Sequence, residues 1–235
     1  MSDLDRFDRE AHMRREQATV RPAASPRSGF AERHRATREA VLASQWGRLI
    51  AAMVESVQAK GYSATTLSDI VGRARVSRST FYEHFANKEE CFVEAVHTGI
   101  DIVATRIAEE LAQLPPDADA LAKIRSIVDT YCEMIAAEPD FAHVVLVESF
   151  KVDQAAVAYR DLAVDRFAEL YRAFYNQARA ADPTLPELAN DLIALIPEAI
   201  GERTRRTLVS DGPARVPELA PLFVDFAATV LGLRC

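Results

Sequence analysis

The sequence lacks the features that mark membrane, secreted and metal-binding proteins. No apolar run reaches the roughly 18–20 residues of a membrane-spanning helix, because charges or prolines interrupt each candidate. The first 20 residues alternate acids and bases without the apolar core of a signal peptide. The cysteines form no Cys-x-x-Cys pair or Cys/His cluster, so we expect no metal and no cofactor. We therefore predict a cytoplasmic protein with reduced thiols; a redox role of Cys91, Cys132 or Cys235 is the alternative.

Motifs of the common enzyme classes are also missing. The sequence has no Ser/His/Asp order, Gly-rich phosphate loop, His-Glu-x-x-His motif or paired-carboxylate motif. Its hydrophobic fraction of 49% and charged fraction of 27% are ordinary for a soluble globular protein, and 235 residues can bury a substantial core. We assign no catalytic residue, and the sequence favours a binding protein over an enzyme.

Negative charge dominates the chain but is unevenly distributed. The net charge is −7, whereas residues 27–90 carry ten basic and seven acidic side chains, a net charge of +3. Residues 1–26 are neutral overall, and residues 91–235 carry a net charge of −10. This asymmetry indicates a nucleic-acid-binding face on the first part of the chain; an ordinary solvated surface is the alternative.

Apolar residues recur at three- and four-residue spacing over most of the chain, and no alternating strand pattern occurs. The predicted fold class is therefore all-α. Residues 1–30 have few large apolar side chains and form a predicted flexible arm, followed by helical domains at 31–86 and 87–235. Pro197 should kink its helix or split it at Ile196. The predicted helices are residues 36–59, 66–74, 78–85, 87–111, 118–137, 139–150, 153–181, 186–210 and 214–233.

Residues 61–90 have the pattern of a helix-turn-helix followed by the start of another helix. Thr66 lies at an N-terminus where hydroxyl, amides and dipole favour a phosphate, and Lys88 offers a second phosphate contact. The apolar residues that would form the inner face are Leu67, Ile70, Val71, Ala74, Val76, Phe81 and Phe85. The side chains that would then face a major groove are Arg78, Ser79, Tyr82 and His84.

Each of these outward residues has a plainer interpretation. Arg78 could be a solvated charge, Tyr82 could cover the core with its ring, and His84 could pack beside Phe85. Just before the first predicted helix, three arginines either follow the minor groove as an arm or are solvated. These arginines are Arg33, Arg35 and Arg38.

The run from Ala36 to Val96 resembles the DNA-binding domain of the TetR family of bacterial repressors. The matching segments are residues 49–59, 60–62, 65–70, 76–82, 84–85 and 87–89. The resemblance implies a three-helix DNA-binding domain followed by a helical effector-binding and dimerisation domain. It also implies a homodimer that binds double-stranded, near-palindromic operator DNA and responds to a small-molecule effector.

The family's DNA contacts carry over onto matching positions of this sequence. The sequence departs from the family at Arg75, where most members have glycine, and at Val71, where a small alanine is usual. If Arg75 has a positive φ, the cost is about 1 kcal/mol. Thr66 and Lys88 resemble phosphate contacts, Arg78, Ser79, Thr80 and Tyr82 resemble base and backbone contacts, and His84 resembles a backbone contact.

The second predicted domain offers two further groups of residues. A ligand pocket would be largely apolar, although aromatic residues at helical spacing more often belong to a core. The pocket candidates are Tyr131, Phe141, Phe150, Tyr171 and Phe174. The last two predicted helices should form an isologous dimer interface, in which residues 193–208 lie beside the last helix; packing within the subunit is the alternative. The interface candidates on the last helix are Leu219, Leu222, Phe223, Phe226 and Val230.

The sequence therefore predicts a ligand-responsive transcriptional regulator, most simply a repressor released by its effector. The alternative is a constitutive or architectural DNA-binding protein without a small-molecule ligand.

Overall fold

The computed structural model describes residues 44–152 and 154–233. Every regular element in these residues is a helix, so the predicted all-α fold is confirmed. The expectations for residues 1–30, for Arg33, Arg35 and Arg38, and for Cys235 fall outside the described residues. The α-helices of the described residues are α1 (Gln45–Lys60), α2 (Leu67–Ala74), α3 (Arg78–His84), α4 (Lys88–Leu111), α5 (Ala120–Ala137), α6 (Pro139–His143), α7 (Gln154–Ala181), α8 (Asn190–Ser210) and α9 (Ala220–Leu231).

α1 is bounded by residues that cap it. The Ser44 hydroxyl accepts a hydrogen bond from the Gly47 amide at 2.9 Å. At the other end, Gly61 has φ 78°, a backbone angle that glycine adopts readily. The predicted apolar stripe is buried and forms the centre of the first core; its members are Leu49, Ile50, Met53, Val54 and Val57.

α4 belongs to the first core and also contacts helices of the second part of the protein. The Asn87 side chain accepts from the Glu90 amide at 2.9 Å, while the Glu90 carboxylate accepts from the Ala86 amide at 2.5 Å. The acid thus caps one residue earlier than a capping box requires. Early in α4, the buried Phe92 and Val96 belong to the first core. The helix has 24 residues, a length of about 36 Å, and it packs against α5 and α7.

The second core lies among α5, α7, α8 and α9. α5 is its centre, since it contacts α4, α7 and α9. No helix among the described residues is long and apolar enough to cross a membrane. Buried residues of this core include Ile124, Val128, Tyr171, Ile196 and Val224.

Four predicted helices differ from the structure. The predicted helix 36–59 is α1, which begins only at Gln45, because Ser44 is extended and caps it. The predicted helix 139–150 is α6 followed by a π-helix (Val144–Glu148) and a 3-10 helix (Ser149–Lys151). The predicted helix 186–210 begins later, at Asn190, after an irregular segment in which the Pro186 carbonyl accepts a hydrogen bond from the Tyr175 hydroxyl. The last predicted helix starts as a 3-10 helix (Pro213–Leu219), because Pro217 has no N–H for an α-helical bond.

Pro197 does not split its helix. α8 continues through it from Asn190 to Ser210, and the proline is buried. The missing N–H leaves the carbonyl four residues earlier without its α-helical donor, which a helix tolerates at a single position. Of the two predicted outcomes, the split at Ile196 is therefore wrong, and the kink stays a prediction.

Cys91 and Cys132 are buried free thiols. Burial raises the pKa of both, that of Cys132 to about 12. Because the thiolate is the reactive form, neither cysteine has the environment of a redox sensor.

Candidate nucleic-acid interface

The helix-turn-helix of α2 and α3 is built on the predicted inner face. Ile70, Ala74, Phe81 and Phe85 are buried in the first core, and Leu67, Val71 and Val76 pack against it. The turn is held by amides that return to α2: Val76 donates to the Val71 carbonyl at 3.1 Å and Arg75 to the Gly72 carbonyl at 3.3 Å. This is the Schellman pattern of a helix C-terminus.

Arg75 occupies the left-handed position of that turn. Its φ of 54° and ψ of 47° lie in the left-handed region that favours glycine. Among the described residues, Arg75 is the only residue other than glycine with a positive φ. The expected strain at this departure from the family pattern is therefore present. A left-handed arginine costs on the order of 1 kcal/mol relative to glycine.

The N-terminus of α2 already holds a carboxylate. Asp69 Oδ2 accepts from the Thr66 amide at 2.7 Å, from the Thr66 hydroxyl at 2.5 Å and from Lys60 Nζ at 2.6 Å. Hydrogen bonds from Lys60 and Thr66 hold the pKa of Asp69 well below its usual range. The Thr66 hydroxyl therefore already donates its hydrogen bond to Asp69. A phosphate at this end of the helix would compete with the Asp69 carboxylate for the Thr66 donors.

α3, the recognition helix of the motif, begins with a cluster of hydroxyl groups. Ser77 caps it by accepting from the Thr80 amide at 3.0 Å. The Ser77 hydroxyl also lies 2.6 Å from that of Ser79 and 2.9 Å from that of Thr80. The two predicted DNA contacts Ser79 and Thr80 lie beside one another near the start of the helix; Ser79 is exposed and Thr80 is half-buried.

The outer face of α3 carries an exposed cation and an exposed aromatic ring. Arg78 donates through Nη2 to the Ser68 hydroxyl of α2 at 2.7 Å. Tyr82 is 58% exposed, and its ring is perpendicular to that of Phe81, with 5.6 Å between the ring centres. His84 is half-buried, and its ring centre lies 6.3 Å from that of Phe85. Sequence reasoning missed Ser68, although it lies one residue into α2.

Lys88 is held inward by the loop before α2. Its Nζ donates to the Tyr62 carbonyl at 3.0 Å and to the Thr65 carbonyl at 2.9 Å, and lies 4.0 Å from the centre of the Tyr62 ring. Burial lowers the pKa of the Lys88 ammonium from its usual value. A phosphate contact by Lys88 would use the remaining N–H, so this residue also ties the loop to α4.

Glu148 ties the same loop to the π-helix. It is 4% exposed, and its Oε2 accepts from the Tyr62 amide at 3.1 Å, while Oε1 accepts from Lys151 Nζ at 2.7 Å. Burial alone would raise the pKa of Glu148, but these hydrogen bonds, with the charges of Lys151 and His143, bring it below its usual value. The signal in the sequence is an acid that directly follows four apolar residues.

An apolar cavity of about 110 Å³ lies among α4, α5, the π-helix, α7 and α8. Three of the five predicted pocket residues line it: Tyr131, Phe141 and Tyr171. Gly99, Ile100 and Val103 contribute the α4 side, and Val145 and Leu146 contribute the π-helix side.

The other two predicted pocket residues do not line this cavity. Phe150 is half-exposed on the 3-10 helix, 4.3 Å from the Arg160 guanidinium. Phe174 packs against the second core, with Lys123 Nζ 5.4 Å from its ring centre. The spacing of aromatic residues in the sequence identifies them as candidates, but it does not show which face of a helix lines the cavity.

Arg160 stands where the apolar cavity adjoins a polar cleft. Its Nη2 donates to Asp161 at 2.8 Å, and its buried Nε has no hydrogen-bond partner among the described residues. The cleft has a volume of about 510 Å³ and more acids than bases in its wall. Its charged residues are Arg160, Asp161, Asp165, Glu198, Glu202 and Arg205.

α8 and α9 each carry exposed apolar side chains. Leu222 on α9 is 55% exposed, and Leu195 and Val209 on α8 are 52% and 61% exposed. Leu219, Phe226 and Val230 are half-buried. Phe223 is 3% exposed and packs in the second core, so it leaves little surface for a partner.

Comparison with known sequences matches the helix-turn-helix region. Residues 49–95 match the family model of the bacterial regulatory proteins of the tetR family. The HTH-type transcriptional regulator CymR of Pseudomonas putida is 30% identical over 118 residues, which are 50% of this chain. The chain spans about half of that relative, 53% of its length.

Solved structures match over most of the described chain. The transcriptional regulator FadR from Bacillus subtilis, in complex with stearoyl-CoA, has a TM-score of 0.68 at 18% identity and covers 80% of this chain and 98% of its own. The fatty acid degradation regulator FadR from Bacillus halodurans has a TM-score of 0.70 at 18% identity, with 81% and 96% covered. A tetR-family protein from Rhodococcus RHA1 has a TM-score of 0.66 at 22% identity, with 82% and 99% covered.

The fold, the helix-turn-helix and the sequence match agree with one another. The helix-turn-helix region of this chain, residues 49–95, is therefore similar to the bacterial regulatory proteins of the tetR family.

Proposed function

We propose that this protein is a repressor that binds near-palindromic operator DNA as a homodimer and leaves it when a small-molecule effector occupies the apolar cavity. The observation that carries this proposal is the course of α4. The helix starts beside the recognition helix at Asn87 and lines the cavity through Gly99, Ile100 and Val103. An effector that binds the DNA-incompetent state more tightly lowers operator affinity by that difference.

The DNA contacts proposed are those of the outer face of α3 and its neighbours. Arg78 and Tyr82 reach base edges, Ser79, Thr80 and His84 hold the backbone, and Thr66 and Lys88 meet phosphates. Since residues 27–90 carry a net charge of only +3, affinity depends on a few placed contacts and on two recognition helices in one dimer.

The dimer interface proposed is the outer surface of α8 and α9. Isolated exposed leucines are common on proteins, but here Leu195, Val209 and Leu222 are exposed on two adjacent helices. The half-buried Leu219, Phe226 and Val230 extend this surface. Two copies would form a four-helix interface related by a two-fold axis.

The effector proposed is apolar and without a polyanionic group. Small-molecule sites usually measure roughly 300–1,000 Å³, so a cavity of about 110 Å³ must open to admit a ligand. The Bacillus subtilis FadR structure contains stearoyl-CoA. In this chain, the adjoining cleft has four acids against two arginines, which disfavours the phosphates of such a thioester.

The test begins with selection of a binding site from a random double-stranded DNA library by the purified protein. Thermal shift is then measured with stearoyl-CoA, with stearyl alcohol and with uncharged aromatic compounds, and each stabilising compound is added to the protein–operator complex. We expect a near-palindromic site and an uncharged compound that both stabilises the protein and weakens operator binding. No preference for any sequence would refute DNA recognition, and operator binding that no stabilising compound weakens would favour a constitutive regulator.

A further inference from the structure

The buried carboxylate of Glu148 lies between the cavity and the loop that precedes α2. Its Oε2 accepts from the Tyr62 amide at 3.1 Å. A Cβ placed on Gly61 would lie 3.7 Å from the same oxygen, so the carboxylate also rests against the backbone of this loop. A carboxylate that is 4% exposed and bonded to a residue 86 positions away is a specific connection between distant segments.

The residues just before Glu148 belong to the cavity wall. Val145 and Leu146 line the cavity, and all three residues lie on the single π-helical turn Val144–Glu148. Turns of this type often occur at functional sites, because the additional residue interrupts the regular α-helical ladder. A displacement of Val145 by a ligand is therefore passed to Glu148 over three residues of one short turn.

The connection continues from Tyr62 into the helix-turn-helix. The Tyr62 and Thr65 carbonyls both accept from Lys88 Nζ, and the Thr65 hydroxyl donates to the Gly61 carbonyl at 2.8 Å. Thr65 is buried and directly precedes the Thr66 cap of α2. The loop is thus a small bonded unit, and Glu148 is its contact with the cavity wall.

We infer that Glu148 is a positioning residue that couples the cavity to the helix-turn-helix through the Tyr62 amide. The inference rests on the proposed function. Filling the cavity shifts Val145, the turn moves Glu148 away from Tyr62, and the loop that orients α2 loosens. This route is separate from any movement of α4, and it depends on the hydrogen bond between Glu148 and the Tyr62 amide.

A single methyl group can replace the unidentified effector in the test. A Cβ at Gly99 would lie 2.9 Å from Val145 Cγ2 and 3.2 Å from Phe141 Cδ1, so Gly99→Ala presses on the π-helical turn from α4. Gly201→Ala is the matched control, because this glycine is also helical and lines the same cavity but has nothing within 4 Å of its added Cβ.

The first measurement needs no DNA. Hydrogen exchange of the Tyr62 amide is followed in the full-length parent, in Gly99→Ala and in Gly201→Ala. We expect Gly99→Ala to speed exchange about fivefold or more, the lower end of ordinary allosteric coupling, and Gly201→Ala to leave it within about twofold of the parent. Equal exchange in all three proteins would overturn the inference, whether or not the protein binds DNA.

The second measurement is a double-mutant cycle on the selected operator. We expect Gly99→Ala to weaken operator binding about fivefold in the parent and by less than about twofold in a Glu148→Ala background. Glu148→Gln keeps an oxygen that can accept from Tyr62, so the Gly99→Ala response should return. If Gly99→Ala weakens operator binding by the same factor in the parent and in the Glu148→Ala background, Glu148 does not carry the coupling.

The two measurements separate the inference from the proposed function. If the parent selects no DNA site, the proposed function fails, while the exchange of the Tyr62 amide still tests the link. If Glu148→Ala does not fold, as its circular dichroism would reveal, the exchange of the Tyr62 amide in Gly99→Ala decides: faster exchange than in the parent and in Gly201→Ala supports the inference, and parent-like exchange overturns it.

Discussion

The Arg78 guanidinium on α3 donates to the Ser68 hydroxyl on α2 at 2.7 Å. This hydrogen bond joins the first residue of the recognition helix to the helix before it. One N–H of Arg78 is used in this way, which leaves further guanidinium donors for a base edge or a phosphate. A side chain that is oriented before binding loses less conformational entropy when it meets DNA.

Arg78→Ala should weaken binding to the selected operator by about 1–3 kcal/mol and relax the choice of base, because a guanidinium can donate two hydrogen bonds to one base and α3 has no other arginine or lysine. Ser68→Ala should have a smaller effect on affinity and keep the base preference, since it removes only the orienting contact. Gel shift or fluorescence anisotropy with operator variants measures both. Parent-like affinity and specificity in Arg78→Ala would show that α3 reads DNA through other residues.

Lys88→Ala should act on DNA binding and on stability together. Loss of a phosphate contact weakens binding to all DNA sequences by a similar factor, and it reduces the slope of log affinity against log salt concentration by about 1. The carbonyls of Tyr62 and Thr65 also lose their donor, so the free energy of unfolding should fall by about 1–3 kcal/mol.

Lys60→Ala is the control for Lys88, because Lys60 is an exposed lysine of the same region whose ion pair with Asp69 contributes little. Salt titrations and urea unfolding of both variants separate the two effects. A changed stability with an unchanged salt slope would assign Lys88 a structural role alone.

The helix-turn-helix could be predicted closely because the residues that determine its structure lie near one another in the sequence. Thr66 and Asn87 cap helices where the sequence indicates, and the apolar spacing of Ile70, Phe81 and Phe85 fixes which side is buried. Arg75 was predicted as a strained turn residue for the same reason, since one position departs from a short pattern.

The cavity could be predicted only in part, because it depends on contacts between distant segments. Helical spacing does not distinguish Tyr171, which lines the cavity, from Phe174 three residues later, which does not. It likewise gives no sign that Phe223 turns inward while the adjacent Leu222 stays exposed. Glu148 meets Tyr62 across 86 residues, a pairing that no local pattern contains.

Arg75→Gly should stabilise the protein by about 0.5–1 kcal/mol. Glycine adopts φ 54° without the strain that arginine carries there, although its freer unfolded chain offsets part of the gain. Arg75→Ala is the matched control, because it removes the same charge but keeps a Cβ at the left-handed position. Urea unfolding should show a gain for the glycine variant alone, and an equal gain in both would assign the effect to the lost charge.

Glu148→Gln should reduce the pH dependence of the free energy of unfolding at acidic pH. The pKa of Glu148 is lower in the folded protein than its ordinary value of 4.5, so the ionised form stabilises the fold above about pH 4.5 and this stabilisation is lost as the pH falls through the folded pKa. Lys151 and His143 are the charged or titratable groups that face it at 2.7 and 3.6 Å.

Thermal unfolding of the parent and Glu148→Gln between about pH 3 and pH 7 measures this effect. The stability difference between them should be greatest near neutral pH and shrink below about pH 4.5. Glu169→Gln is the control, since this acid pairs with Arg172 at the surface and is 66% exposed. A Glu148 difference that stays constant with pH would mean that its charge does not stabilise the fold.

Leu222→Asp should convert the proposed dimer to a monomer. The side chain is 55% exposed on the outer surface of α9, so a charge is solvated in the monomer but would be buried against its symmetry mate in the dimer. Leu162→Asp is the matched control, because Leu162 is also an exposed leucine, 42% exposed, but lies on α7 and is not part of the proposed interface. Sedimentation velocity should show a dimer for the parent and Leu162→Asp and a monomer for Leu222→Asp. Since each half of a near-palindromic site would then be bound alone, the same variant should lose most of its operator affinity, and a Leu222→Asp protein that remains dimeric would place the interface elsewhere.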